Sequence, residues 1–441
     1  MVTILFAAFL ASASFEPIGI WFLAIFGFAL FFRKLKIVQR PVMHSFVFGL
    51  ILNAIVLYWS GKFVGAIPWL LLALLQAFFY LPVGWIYRRF KNIWLAALIL
   101  LAMEELRTRF PFGGFGWTRV AFSQVESPAL PIVALGGVVA LSAFTILASI
   151  LLARVNLKNL ALLVAILLVA IALPSNPEGS GSVKILAIQG NTPEVGLGFN
   201  SRAKAVFDLH SQATREFADF TRETYDAIIW PENAVDIDPN FYPDVARKIT
   251  ALTRDLQTPL IAGVVTKSRQ GPQNASILYS ENGTAESIYL KRGLTPFGEF
   301  IPLRKLAEFV NPLAKNVVDF IPGQKRIVHR IAGNNIGPVI CYEIINDSLV
   351  RDMARSSQAL IVQNNNATFA NTAQSEQQLA ITRIRAVEHS RYILSVSTIG
   401  ISAFIDNNGR VLSETAQKDK SFLAGELMLS DRTTLVNRIL R

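Results

Sequence analysis

The first 175 residues carry one apolar run after another, joined by loops too short to form a domain of their own. A water-soluble core has no use for so many consecutive apolar stretches, so this half of the chain is restricted to helices packed in a membrane. The runs cover residues 2–14, 18–32, 42–59, 66–86, 93–103, 130–152 and 160–173, which makes seven candidate spans. The first two are short and are separated by Phe15, Glu16 and Pro17, a tight reversal, while Glu104 and Glu105 close the fifth early. A cleaved leader would need a basic segment before its apolar run, and none precedes the first.

The loops between the runs set an orientation. Arg33, Lys34, Lys36 and Arg40 follow the second run, Arg88, Arg89 and Lys91 the fourth, and Arg154 and Lys158 the sixth, whereas the loop after the third holds only Lys62. Alternate loops are therefore basic, and placing them in the cytoplasm puts everything after the seventh run outside. The net charge of +11 fits this topology and an attraction to lipid. It does not point to nucleic acid, because no basic run has aromatics interleaved. One outer loop, 107–126, is too polar to span and is rich in aromatics beside glycines: Phe110, Pro111, Phe112, Gly113, Gly114, Phe115, Gly116, Trp117. Such a segment suits the headgroup layer, either as an anchor or as a lipid-contacting loop.

Of the 441 residues 52% are hydrophobic and only 17% charged, and the excess lies almost wholly in the first part. Residues 1–174 are thus read as a transmembrane domain of about seven helices and 175–182, rich in Pro, Gly and Ser, as a linker. The remainder, about 260 residues of mixed composition, is long enough to bury its own core. Its strands and helices alternate. Strands are expected at 183–189, 227–230 and 260–265, with helices at 202–224 and 242–256 between them. A hairpin joins 275–280 to 285–290 through Glu281, Asn282 and Gly283. A strand ending at Cys341, a helix-like segment 344–355, a strand 359–363, a long helix 372–390 and strands 392–397, 403–406 and 411–413 complete an α/β pattern with inserted hairpins.

Cys341 is the only cysteine, so it has no intrachain disulfide partner. With four scattered histidines, His44, His210, His329 and His389, it makes a poor zinc site. It ends the β-branched run Gly337, Pro338, Val339, Ile340, which is how a nucleophile is presented at a strand end. Outside the cell an idle thiol is a liability, which makes this one more telling. Two charged residues occupy comparable places: Glu232 after Ile228, Ile229, Trp230, Pro231, and Lys291 after Tyr289, Leu290. Singly each reads as a solvated strand end. Together they are the inventory for amide-type acyl chemistry: a carboxylate to take the thiol proton, a thiolate to attack a carbonyl and an ammonium for the oxyanion. No phosphate cradle or metal cluster is visible, and the sequon-like Asn274, Ala275, Ser276 is read as chance.

At these residues the sequence resembles the carbon-nitrogen hydrolase (nitrilase) superfamily over about 183–430, on the words Trp230, Pro231, Glu232 and Pro296, Phe297, Gly298, Glu299. With the membrane half included, the whole chain is similar to the membrane-embedded apolipoprotein N-acyltransferase family. Gly114, Phe115, Gly116, Trp117 and Ser123, Gln124 resemble that family's outer loop, and Gln189, Gly190, Asn191 its first domain strand. The resemblance implies a helical transmembrane bundle followed by an α-β-β-α sandwich, multi-pass in a bacterial inner membrane with its catalytic domain outside and no cofactor.

It further implies a ping-pong N-acyl transfer from a phospholipid, through a Cys341 thioester, to the amine of a diacylated lipoprotein. Glu232 would be the base and Lys291, with the Tyr342 N–H, the oxyanion holder. Glu299, Tyr342 and Glu343 would support them, and Asn191, Phe115, Trp117, Asn365 and Phe369 are the substrate-loop candidates. Two departures stand out: many members read Asn, Asp, Ala, Trp, Phe, Gly where this chain has Asn365, Asn366, Ala367, Thr368, Phe369, Ala370, and residues 431–441 form a tail where a last span is usual. Two other readings stand beside this one. The first is a membrane-tethered amidase or nitrilase, in which water resolves the thioester. The second is a silent membrane scaffold for a polyprenol-phosphate mannosyl synthase, the partner of the membrane part in some relatives.

Overall fold

The computed structural model describes residues 1–196, 204–221 and 223–439. It divides into two units, Met1–Ser175 with Thr434–Arg441, and Asn176–Thr433.

The first unit is helical, and every apolar run forms a helix. In order these are α1 (Val2–Ser12), α2 (Phe22–Leu35), α3 (Pro41–Val56), α4 (Ala66–Phe78), α5 (Leu81–Phe90), α6 (Ile93–Leu106), α7 (Val133–Ala153) and α8 (Leu157–Ile171). The fourth run is thus two helices, and Pro82 sits in the first turn of the second, where its missing N–H leaves no intrahelical bond unmade. Two segments, Ala66–Phe90 and Leu130–Ala153, are long and apolar enough to cross a membrane, while Val2–Ser12, Pro41–Val56 and Leu157–Ile171 are shorter apolar helices. The α1–α2 hairpin closes on small residues. A Cβ on Gly27 would stand 2.7 Å from the Ala7 carbonyl and the Ala11 amide, so only glycine lets these backbones approach. A short helix, Leu435–Ile439, packs on α7 in the same unit.

Polar residues of this unit gather around the segment after α6. Arg107 and Arg119 are buried. Arg107 Nη2 lies 3.4 Å from Glu104 Oε1 and donates to the Thr118 carbonyl at 2.6 Å, and Arg119 pairs with Glu105. Glu104 also accepts the Val120 N–H at 2.6 Å, and Thr118 Oγ1 reaches Asn53 Oδ1 on α3 at 2.7 Å. An apolar setting makes an unpaired charge expensive, so each of these groups has a partner. The aromatic segment is accordingly tied down: Trp117 is buried, its ring 5.0 Å from that of Trp59 and stacked at 6.3 Å with that of Phe115.

The second unit contains two six-stranded sheets. Its strands are β1 (Ser182–Gln189), β2 (Ala227–Ile229), β3 (Leu260–Lys267), β4 (Pro272–Tyr279), β5 (Ala285–Leu290), β6 (His329–Ile331), β7 (Asn334–Ile340), β8 (Ala359–Asn364), β9 (Tyr392–Ser397), β10 (Ala403–Ile405), β11 (Val411–Glu414) and β12 (Ser421–Met428). They are ordered β12-β1-β2-β3-β4-β5 and β11-β10-β9-β8-β7-β6. In each sheet three parallel strands are followed by two antiparallel ones, and an antiparallel strand closes the other edge.

Its helices are α9 (Ala205–Thr221), α10 (Pro243–Leu256), α11 (Arg304–Val310), α12 (Asp347–Ala354) and α13 (Gln374–His389). The residues expected to begin helix 202–224, and position 222 within it, lie outside the described residues.

Strand periodicity explains the layering. On β1, Val183, Ile185 and Ala187 enter a core shared with Ile336, Ile361 and Leu394 of the other sheet. Leu186 and Ile188 face the opposite way and pack with Phe207 of α9 and Val245, Ile249 and Leu252 of α10. With α12 and α13 against the second sheet, the unit is an α-β-β-α sandwich.

Candidate active site

Glu232, Cys341 and Asn365 follow the C-terminal ends of β2, β7 and β8, and Asn191 follows β1. Lys291 follows β5, which runs parallel to β3 because β4 is antiparallel to both. The carboxyl ends of parallel strands are where α/β sheets leave room for ligands. The two sheets are tied together there: Gln363 donates to the Trp230 carbonyl at 2.7 Å and the Asn365 N–H to Glu232 Oε2 at 2.9 Å. Gly263 on β3 supports Glu232 from below. A Cβ there would lie 2.2 Å from the Pro231 carbonyl and 2.6 Å from the Glu232 Cα.

Lys291 is buried between two carboxylates, its Nζ 3.0 Å from Glu232 Oε1 and 2.9 Å from Glu299 Oε2. Asn274 on β4 donates to Glu232 Oε1 and to Glu299 Oε1, both at 2.8 Å, and the Thr295 N–H donates to Glu299 Oε2 at 2.8 Å. Burial alone would lower the lysine pKa, but the carboxylates of Glu232 and Glu299 outweigh it and hold the ammonium above its usual range. Lys291 is therefore a fixed cation at neutral pH.

Cys341 is partly exposed and has φ +48°, a left-handed conformation that costs a non-glycine residue on the order of 1 kcal/mol and marks a turn held by its surroundings. The turn is held on two sides. Glu343 is buried and accepts the Tyr289 hydroxyl at 2.8 Å, the Arg292 and Gly293 N–H groups at 2.7 and 3.0 Å, and the Ile340 N–H at 2.8 Å. It thereby staples the segment carrying Lys291 to the segment carrying Cys341, and burial pushes its own carboxyl pKa up. From the other side the buried Arg385 of α13 donates to the carbonyls of Ile344 and Ile345 at 2.9 and 3.2 Å. The residues after Cys341 accordingly form a 3₁₀ turn, Cys341–Ile345, before α12 begins; the expected helix 344–355 starts later than its sequence pattern implied. Tyr342, the next residue in the chain, is partly exposed.

The thiol itself is pushed up to about 12, by burial first and then by the Glu232 charge, with Lys291 working against both. It is thus neutral at pH 7. One further contact was not foreseen from the sequence: Gln378 of α13, whose Nε2 lies 3.8 Å from Cys341 Sγ and donates to Asn364 Oδ1 at 2.8 Å. Its Oε1 accepts from Asn366 Nδ2 at 2.8 Å and Gln374 Nε2 at 3.0 Å, which fixes the amide with its N–H groups toward the sulfur. Asn274 was missed too, dismissed as part of a chance triplet. The signal available for both was a polar residue at a core position of its strand or helix.

Of the loop candidates, Asn191 has φ +72°, donates its N–H to the Thr398 carbonyl at 3.0 Å and its Nδ2 to the Lys418 carbonyl at 2.8 Å. Thr398 in turn bonds the Glu232 carbonyl at 3.3 Å, so Asn191 is near the same strand ends. Asn365 is buried, and Phe369, half-buried, closes the short 3₁₀ turn Ala367–Phe369 that follows it. Phe115 and Trp117 belong to the helical unit. Among the described residues no cluster of three or more His, Cys, Asp or Glu is placed to hold a metal ion.

Residues 7–151 match the family model for the apolipoprotein N-acyltransferase N-terminal domain and residues 185–435 that for carbon-nitrogen hydrolase. An apolipoprotein N-acyltransferase of Mycolicibacterium smegmatis is 32% identical, the match covering 96% of this chain and 78% of that one. One of Geobacter metallireducens is 28% identical over 89% of this chain and 82% of its own. Among solved structures, an amidase from Nesterenkonia sp. matches 60% of this chain and 95% of its own at 16% identity and a TM-score of 0.44. With a helical unit matching one model, an α/β unit matching the other, and a relative 32% identical over 96% of this chain, the chain belongs to the apolipoprotein N-acyltransferase family, with a carbon-nitrogen hydrolase domain as its second unit.

Proposed function

We propose that this protein is a membrane N-acyltransferase that moves an acyl chain from a phospholipid to the α-amino group of a diacylglyceryl-cysteine, through a thioester on Cys341. The observation that carries this reading is the lone thiol beside an ammonium held between two carboxylates, at the strand ends of a unit joined to an apolar helical one.

Because the thiol is neutral at pH 7, its proton leaves as it attacks. Glu232 is the acceptor: its charge already acts on the sulfur, and Lys291 and Asn274 hold its Oε1 while the Asn365 N–H holds its Oε2. The sulfur adds to the phospholipid ester carbonyl. Lys291, with the backbone N–H of Tyr342, takes the negative charge that develops on the oxygen. Collapse breaks the ester C–O bond, and the proton on Glu232 goes to the departing alkoxide, leaving a lysophospholipid and the acyl-Cys341 thioester. In the second half the lipoprotein amine attacks the thioester, Glu232 takes the amine proton and returns it to the leaving sulfur, and an amide results.

Glu299 and Glu343 position these groups without reaching the reacting atoms: Glu299 fixes the Lys291 ammonium, and Glu343 the relative placement of the Lys291 and Cys341 segments. The Gln378 N–H steadies the sulfur when it is charged.

The helical unit supplies what two lipid substrates require. Its seven apolar runs are read as spans, with the basic loops in the cytoplasm and the α/β unit at the outer face. Asn191 and Phe369 on the α/β unit, and Phe115 on the helical one, are each assigned to lipid contact, while the buried Asn365 and Trp117 hold the segments that carry Phe369 and Phe115.

The test is purified protein in micelles given a phospholipid and a diacylated lipopeptide. Transfer yields a triacylated lipopeptide, dependent on Glu232, Lys291 and Cys341. Release of free fatty acid with no change in the lipopeptide would instead mean that water resolves the thioester and that this is a hydrolase.

A further inference from the structure

The helical unit contains a groove of about 680 Å³ at one end of its helices, lined by Gln39, Arg40, Val42, Met43 and Phe46 around the start of α3 and by Phe78, Leu81 and Arg88 of α4 and α5. Its wall is apolar, and two of its large apolar side chains are well exposed, Met43 at 39% and Phe78 at 50%. Arg40 and Arg88 are also exposed, and neither has an ion-pair partner among the described residues.

Among the described residues, no side-chain carboxylate of the unit is placed to neutralise these two arginines. Before Glu178 the chain has only Glu16, Glu104, Glu105 and Glu126. Glu104 and Glu105 are paired with Arg107 and Arg119 at the far end of α6, which starts just after the α5 terminus carrying Arg88. Glu16 lies in the turn before α2, and α2 leads away from that turn toward Arg40. Helices of this length separate their ends by about 20 Å. The Gln124 side chain bonds the Trp21 carbonyl at 3.0 Å, which puts the loop carrying Glu126 at the start of α2 as well. The helical unit thus leaves the groove's two guanidinium groups open to an anion from elsewhere.

We propose that the groove binds one anionic glycerophospholipid, its phosphate between Arg40 and Arg88 and its acyl chains along Met43, Phe46, Phe78 and Leu81. A free phosphate would satisfy the guanidinium groups but leave the apolar wall uncovered. A lipid satisfies both, and basic pockets between membrane helices hold such headgroups by this combination. On the orientation set by the basic loops, the groove opens to the cytoplasmic leaflet, so this lipid is a resident one and distinct from the acyl donor.

The test uses the full chain carrying Cys341→Ala, so that a bound lipid is not consumed, in neutral detergent by native mass spectrometry. Phosphatidylglycerol, phosphatidylcholine and inorganic phosphate are titrated in turn. The expected result is one phosphatidylglycerol retained per chain, at least tenfold weaker retention of phosphatidylcholine, and at least a tenfold loss for phosphatidylglycerol in Arg40→Gln/Arg88→Gln. Arg88→Lys keeps the charge and retains the lipid, which separates lost charge from a lost fold. Undiminished binding by the double variant, equal retention of both lipids, or displacement of the lipid by millimolar phosphate would each overturn the proposal. Because the nucleophile is absent throughout, none of these results bears on the acyl-transfer reading.

Discussion

Both units bury ions, but beside different neighbours. In the helical unit Arg107 pairs with Glu104 and Arg119 with Glu105, and Arg107 and Glu104 also bond the segment after α6. In the α/β unit one ammonium, Lys291, stands between two carboxylates beside a thiol. The helical pairs fix chain segments. A carboxylate next to an acidic group held neutral is able to accept its proton. The ratio of buried charges does not make the distinction, since Arg385 of α13 also lies between two carboxylates, Asp347 and Glu388; the neutral thiol next to Glu232 and Lys291 does.

The largest effect expected from breaking this contrast is at the thiol. Cys341→Ala should lower acyl transfer by roughly 10⁴-fold or more while the melting temperature stays within a few degrees, since little packing is lost. Removing the cation comes next. Lys291→Met leaves two buried carboxylates facing each other, so the α/β unit should lose about 3–5 kcal/mol by chemical denaturation along with its activity. Glu299→Gln leaves one carboxylate for one ammonium; stability should hold better than in Lys291→Met, while transfer falls by about 10²-fold because Lys291 is no longer fixed from both sides.

In the helical unit Arg107→Met should cost a similar 3–5 kcal/mol. Its signature is the converse: the rate at which Cys341 is alkylated by iodoacetamide should be unchanged, and Arg107→Met/Glu104→Leu should recover much of the loss. Gln378→Leu is a smaller perturbation at the sulfur, with alkylation expected to slow roughly tenfold and the fold retained.

The last effect is on pH. The thiol pKa is raised by folding from 9.0 to about 12. Below pH 9 both states hold the proton and the contribution to stability is complete; above it the unfolded chain loses the proton first, so stability falls as pH rises toward 12. Denaturation curves for the wild type and Cys341→Ala should therefore diverge over that window and run parallel below it.

The same contrast explains what could be read from the sequence. Hydropathy identified all seven apolar runs as helical, because an apolar run of that length has few other uses, but it gave no sign that the fourth breaks after Phe78 into two helices or that Trp117 turns inward. Those depend on which helix packs beside which. In the α/β unit the strand ends carrying Glu232, Lys291 and Cys341 were legible, since an apolar strand stopping at a charged or thiol side chain is a local pattern. The strand β12 was not, because its only reason to form is the edge of β1, more than two hundred residues away. Asn274 and Gln378 were hidden for the same reason: their buried amides are explained by the carboxylates and the sulfur they meet, and those come from other strands.

The most direct test of the thioester is intact mass spectrometry of wild-type protein incubated with phospholipid alone and then given a diacylated lipopeptide. The expected result is a gain of one acyl chain, absent in Cys341→Ala, removed by neutral hydroxylamine and discharged onto the lipopeptide amine. An unmodified Cys341 in protein that still acylates the lipopeptide would contradict it, since the chain would then pass from donor to acceptor without resting on the thiol.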